Sequence, residues 1–216
     1  MSTTIGTKTR SQMNERGNKL LSIRTMAVIG MMSGVAAVLM LFEVPLWFAP
    51  SFYELDFSEV PVLVGAFALG PLTGVLIELV KVLLNLIFNG SITMGIGELA
   101  NFLIGCSLVV PASIIYHRKK SFRSALVGMV VGTVSMVALG SILNAAVLLP
   151  AYSFFTNFAI ADLIGMGTQV NPAIQNLPTF IMLAVAPFNL LKGVAVSVIT
   201  MLLYKQTSTI IKAFTK

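Results

Sequence analysis

A chain of 216 residues that is 56% hydrophobic and only 10% charged, with a mean hydropathy of +0.93, is far from a soluble domain and reads as one compact integral membrane domain. The formal net charge of +6 would suit nucleic acid in a soluble protein. Here the basic residues flank apolar spans, where they orient the chain and meet anionic headgroups, so the expected partner is a lipid bilayer and not nucleic acid.

Of the 14 lysines and arginines, all but Lys81 and Lys192 fall in three places. Lys8, Arg10, Arg16, Lys19 and Arg24 precede the first apolar stretch; Arg118, Lys119, Lys120 and Arg123 form the run RKKSFR; Lys205, Lys212 and Lys216 close the chain. The positive-inside rule puts both termini and the central run in the cytoplasm, with an even number of crossings on each side of that run.

The first apolar segment, Thr25 to Phe42, is longer than the core of a signal peptide and lacks an Ala-x-Ala site before Glu43, so it reads as a retained helix. Gly70-Pro71, in the middle of the next apolar window, is either a kink in one helix or a turn between two. Parity favours two, because one helix would expose RKKSFR on the outside. The predicted architecture is therefore all-α with six transmembrane helices. Their approximate spans are 20–42, 58–69, 71–88, 96–117, 124–149 and a last one from 178 or 187 to 205. Residues 1–19 are a cytoplasmic tail and 20–216 the membrane domain. The second helix, about twelve residues at about 1.5 Å each, reaches only about 18 Å and needs support from its neighbours. The outside segments are 43–57, 89–95 and a long stretch from 150 to 177 or 186, whose glycines, asparagines and aromatics suggest a folded lid.

A charge inside hydrocarbon costs on the order of 2.5 to 3.5 kcal/mol, so each needs a partner or a cavity. Glu78 and Lys81, three apart on one helix, share a face and can neutralise each other. Lys192 has no acid nearby in sequence, and Asn189 lies one turn before it in FNLLKG. Asn144 near the end of the fifth helix, and Glu98 and Asn101 near the start of the fourth, fall at similar depth. These five side chains converge on an outward-facing layer that suits a neutral ligand rich in hydroxyls and carbonyls; alternatively they hold helices together through interhelical hydrogen bonds. Gly30 and Gly34, with Ser33 and Ala37, make a stripe of small residues on the first helix, placed to meet another subunit or to pack internally. Gly70 with Gly74, and Gly128 with Gly132, repeat the spacing.

Other chemistry is missing. The lone cysteine, Cys106, has no partner for a disulfide or thiolate metal site. The lone histidine, His117, borders the basic run, so neither a histidine metal cluster nor a Ser-His-Asp arrangement is available. No G-x-x-x-x-G-K-[ST] occurs, so a transporter of this design draws its energy from partners or a gradient. We expect no enzyme, no metal and no cofactor. The two halves show no convincing inverted repeat.

The segments YELDFSEVPVLVGAFALGP (53–71), NFLIG (101–105), LNAAVLLPAY (143–152) and PFNLLKG (187–193) resemble the riboflavin-specific S-components of energy-coupling factor (ECF) transporters, from the first helix to the last. The resemblance implies a six-helix S-component that captures riboflavin from outside. It docks on a coupling transmembrane subunit attached to two ATPase subunits, and its toppling in the membrane carries the vitamin across. It also implies that Tyr53, Leu55, Asp56 and Phe57 enclose the isoalloxazine, that Asn144, Asn189 and Lys192 meet the ribityl hydroxyls, and that the docking stripe maps to Ser33 and Ala37 or to Gly30 and Gly34. An S-component for another vitamin or a nucleobase-like compound, and a gradient-driven transporter, are the alternatives.

Overall fold

The computed structural model describes residues 22–50, 52–91, 95–156 and 159–215, with the side chains of Thr156 and of 205–215 excepted. The tail over 1–19 and the predicted helix start at 20 lie outside the described residues.

Helix α1 (Ile23–Met40) begins at Ser22, whose hydroxyl accepts from the Thr25 amide at 3.2 Å and satisfies one of the unpaired donors of the first turn. A two-stranded antiparallel ribbon follows, β1 (Val44–Pro45) with β2 (Glu54–Leu55), pairing Val44 with Leu55 and Pro45 with Glu54. The segment predicted as an outside loop thus doubles back on itself.

Helices α2 (Glu59–Leu69) and α3 (Pro71–Asn89) are separate. Gly70 between them has φ 116, a conformation that glycine adopts without penalty, and Pro71 takes the first helical position, where its missing N–H costs nothing. The turn reading of Gly70-Pro71 is the one the backbone adopts.

Helix α4 (Ile96–Lys119) ends on Lys120 in the left-handed conformation, and α5 (Phe122–Leu143) starts directly after, from a Ser121–Ser124 capping box. The basic run is the tight connection between them. Gly128 and Gly132 let α5 lie against α4: a Cβ on Gly128 would stand 2.6 Å from the Ala112 carbonyl oxygen, and one on Gly132 would meet that of Leu108. Gly74 faces Ala66 and Val109 in the same way. Gly128, Gly132 and Gly74 are therefore internal packing, whereas Gly70 serves the turn and has open space where a Cβ would stand.

Two predicted boundaries differ from the structure. The fifth helix does not stop at 149: α5 runs through a π-helical turn, Asn144–Leu148, into α6 (Leu149–Thr156). Of the two predicted starts of the last helix, 178 agrees with the structure to within one residue and 187 does not. The helix opens as α8 (Leu177–Phe180), passes a second π turn, Ile181–Val185, and continues as α9 (Ala186–Thr215). The reason is the same in both. Pro150 and Pro187 lack an amide, and the widened turn just before each one absorbs the missing hydrogen bond without ending the helix. Between α6 and α8 lies α7 (Ile160–Val170), so the long segment predicted as a lid is largely helical.

Five described helical stretches are long and apolar enough to cross a membrane: Ile23–Met40, Pro71–Asn89, Ile96–Lys119, Phe122–Phe155 and Leu177–Tyr204. Glu59–Leu69 is a shorter apolar helix. That short helix is the centre of the bundle, with Val62, Leu63, Ala66 and Phe67 all at or below 2% exposure, and it packs against α1, α3, α4 and α9. Neighbours on all sides supply the support that its length demands. A second core of Leu149, Leu163, Ile174, Phe180, Ala184 and Val185 joins α6, α7 and α8 at one end.

Candidate ligand cavity

Under this second core is a cavity of about 250 Å³. Its wall combines Phe52, Tyr53 and Glu54 from the ribbon, Glu59 from α2, and Ile96, Gly97, Ala100, Asn101 and Ile104 from the start of α4. Met136, Asn144, Leu148, Leu149 and Tyr152 come from the α5–α6 rod, Leu163 from α7, and Phe188, Asn189 and Lys192 from α9. Because α4 starts at the cavity and ends at Lys119, the basic connection lies at the opposite end of the bundle.

Two amides stand beside the π turns, Asn144 at the start of the first and Asn189 one turn after the second. Asn144 Nδ2 donates to the Gly140 carbonyl at 2.8 Å, and Asn189 Nδ2 donates to the Val185 carbonyl at 2.9 Å, each one turn back along its own helix. Fixing the amide nitrogen this way leaves each Oδ1 aimed elsewhere. The Asn144 oxygen accepts from the Tyr53 hydroxyl at 2.5 Å. Gly140 leaves the space that the Asn189 amide occupies, since a Cβ there would stand 2.9 Å from its Nδ2.

The Lys192 ammonium is buried and lies 2.8 Å from Asp56 Oδ2 and 3.2 Å from Glu59 Oε1. The same Glu59 oxygen lies 3.5 Å from Lys81, which is 2.6 Å from Glu78. Lys81 also donates to Ser58 Oγ at 3.2 Å and to Asn101 Oδ1 at 3.4 Å. Two lysines and three carboxylates thus form one chain of ion pairs, Asp56–Lys192–Glu59–Lys81–Glu78, running from the cavity into the bundle. The predicted neutralisation of Glu78 by Lys81 is present, within a larger network.

Outside the membrane-spanning segments, two carboxyls are shifted in opposite directions. Burial pushes the Asp56 carboxyl up, but the Lys192 and Lys81 charges, with hydrogen bonds from Lys192 and Ser58, hold it well below the usual carboxylate range. Glu43, although exposed at the surface, is pushed up to about 8, first by partial desolvation, then by a hydrogen bond and charge from Glu54 and by the Asp56 charge, against a weaker pull from Lys192. A carboxyl whose folded-state value is raised gives stability that is full below its ordinary value of 4.5 and is lost as pH rises toward about 8. The melting temperature should therefore fall across that window, and Glu43→Gln should flatten the slope; an unchanged slope in the variant would assign it to another group.

The residues predicted from the sequence separate into three groups. Asn101, Asn144, Asn189, Lys192 and Tyr53 all line the cavity. Asp56, Leu55 and Phe57 do not: Asp56 lies behind Lys192 as its counter-ion, Leu55 pairs with Val44 in the ribbon, and Phe57 packs on the central core. Glu98 also turns aside, accepting from Ser91 Oγ at 2.9 Å, because the carboxylate serves the connection that enters α4. Glu59, Phe52, Tyr152 and Phe188 also line the cavity, although the sequence did not single them out. For Glu59 a signal existed, an acid in the first turn of an apolar helix, three residues after Asp56.

On α1 the two proposed registers are no longer equivalent. Ser33 is buried and donates to the Ile77 carbonyl at 3.2 Å, and Ala37 is buried as well, so these two face the bundle. Gly30 and Gly34 have open space where a Cβ would stand.

Among the described residues no group of three or more His, Cys, Asp or Glu is placed to hold a metal ion. Apolar and aromatic walls around three amides, one ammonium and the carboxylates of Glu54 and Glu59 suit an uncharged small molecule with an apolar body and several hydroxyls that can both donate and accept.

Known proteins carry similar sequences. The riboflavin transporter RibU of Staphylococcus aureus (strain TCH60) is 36% identical over 205 residues, 94% of this chain and 97% of the relative. The riboflavin transporter FmnP of Bacillus subtilis (strain 168) is 30% identical over 187 residues, 85% and 92% of the two chains. A solved structure of the S component of a bacterial ECF transporter superposes with a TM-score of 0.68 at 34% identity, covering 87% of this chain and 97% of that one. With its apolar helices, this makes the chain a multi-pass protein of the cell membrane. A family profile described as "ECF transporter, substrate-specific component" matches residues 24–204, a range that includes every residue of the cavity wall, and to that family this chain belongs.

Proposed function

We propose that this chain captures riboflavin in the cavity at Lys192 and hands it across the membrane as the substrate-specific subunit of an ECF transporter. The observation that carries the reading is the pairing of two π turns with Asn144 and Asn189, which sets two amides beside a buried ammonium under an aromatic cover. A ribityl chain offers hydroxyls that both donate and accept, and this set does both. The isoalloxazine would lie among Tyr53, Phe52, Tyr152 and Phe188. The relatives named as riboflavin transporters support the choice of ligand.

In this reading the chain crosses the membrane six times, α2 being the short crossing, with both termini and the RKKSFR connection in the cytoplasm and the cavity open to the outside. The partners are a coupling transmembrane subunit and two ATPase subunits, with α1 docking through Gly30 and Gly34. Native mass spectrometry of the purified chain tests the ligand: a retained mass equal to riboflavin is expected, and a different retained vitamin would replace it.

Two substitutions separate binding from docking. Gly140→Ala pushes on the Asn189 amide and should weaken riboflavin binding by about tenfold, or about 1.4 kcal/mol, in a flavin fluorescence titration, with the helix content unchanged. A Cβ at Gly34 meets nothing within 4 Å, so Gly34→Leu should leave that affinity intact while abolishing uptake by the assembled transporter; intact uptake would remove this face from the docking surface.

A further inference from the structure

Trp47, the single tryptophan of the chain, is 89% exposed. It stands edge-to-face on Phe48 with ring centroids 5.6 Å apart, between the two strands of the ribbon. Leu41, Phe42 and Val44 beside it are exposed too, and Glu43 is the one charged residue from 41 to 50. This patch continues the outward side of α1, where Met31, Val35 and Val38 are exposed on a helix long enough to cross the bilayer. An apolar strip of this kind in water is a liability. At the boundary between headgroups and acyl chains it is favourable, because an indole buries its rings in the apolar layer while its N–H meets the polar one.

We propose that Trp47 seats the ribbon in the membrane interface at the cavity end, and that this anchor holds the opposite strand over the cavity. The link is direct: Val44 and Pro45 pair with Leu55 and Glu54, and Phe52, Tyr53 and Glu54 form the cavity wall. The adjacent acids Glu43 and Glu54 give no attraction to anionic headgroups, so the occupant is the apolar boundary layer of the bilayer, whatever its charge. The anchor does not depend on which ligand the cavity takes.

Because Trp47 is the only indole, intrinsic emission of the ligand-free full chain in phosphatidylcholine–phosphatidylglycerol vesicles reads this one side chain. The expected result is blue-shifted emission, mostly lost when the lipids carry bromine near the top of their acyl chains, less affected by bromine near the chain ends, and insensitive to iodide. Quenching by iodide without quenching by bromolipid would place Trp47 in water and overturn the proposal. Protection from both would mean that a protein surface, such as a second copy, covers it, and would overturn it equally. In the same vesicles Trp47→Ser, which empties no packed site, should speed amide exchange at residues 52–55 severalfold, with Trp47→Phe recovering most of the loss; unchanged exchange in Trp47→Ser would overturn the link to the cavity wall.

Discussion

Lys192→Ala should lower riboflavin affinity by about 10- to 100-fold, as expected for the loss of hydrogen bonds from a charged donor worth about 1.5 to 3 kcal/mol. The same substitution should also destabilise the ligand-free protein. Asp56 and Glu59 are both buried and both face that ammonium, and removing one side of a buried pair costs about 3 to 5 kcal/mol. The two effects can be told apart. Adding Asp56→Asn to Lys192→Ala removes one orphaned charge and should recover part of the melting temperature, while the affinity stays low because the donor is still missing. Recovery of both would reduce Lys192 to a structural ion pair.

Lys81→Met should destabilise the protein as much as Lys192→Ala does, with a smaller direct effect on the cavity. Lys81 is fully buried and stands between Glu59 and Glu78, and Glu78 is also fully buried in a space that Gly105 keeps open for its carboxylate. Without the lysine, the cost should again be about 3 to 5 kcal/mol. The double variant Lys81→Met with Glu78→Gln should regain most of it, since a neutral amide of the same shape needs no counter-charge. Glu59 keeps Lys192 and Lys192 keeps Asp56, so riboflavin affinity in the double variant should stay within about tenfold of the parent. Thermal unfolding in detergent measures the first effect, and a flavin titration the second.

The parts of this molecule that could be read from the chain are those governed by local chemistry. Apolar windows and Gly70-Pro71 located the helices, because a span must satisfy its own backbone and a Gly-Pro pair marks a break. Asn101, Asn144, Asn189 and Lys192 stood out because a polar group in hydrocarbon needs a reason. What sequence could not supply was pairing across distance. Asp56 and Lys192 lie far apart in the chain, and no periodicity announces that they meet. The continuity of the fifth helix through Pro150 was also hidden, and at Pro187 the sequence left continuity as one of two alternatives, since proline alone signals an end and only the preceding π turn repairs it. Glu98 differs from its neighbours for a related reason: its position in the chain matches the layer, but its carboxylate accepts from Ser91 and is not part of the cavity wall. The different surroundings of the two small-residue registers on α1 were also invisible in the chain, since only burial separates Ser33 and Ala37 from Gly30 and Gly34.

An experimental structure of the flavin-loaded protein decides whether riboflavin occupies the cavity between the two π turns. If it does, the ribityl chain will lie within hydrogen-bonding distance of Asn144, Asn189 and Lys192, and the ring system among Tyr53, Phe52, Tyr152 and Phe188. A flavin bound elsewhere on the bundle, with this cavity empty, would contradict that placement.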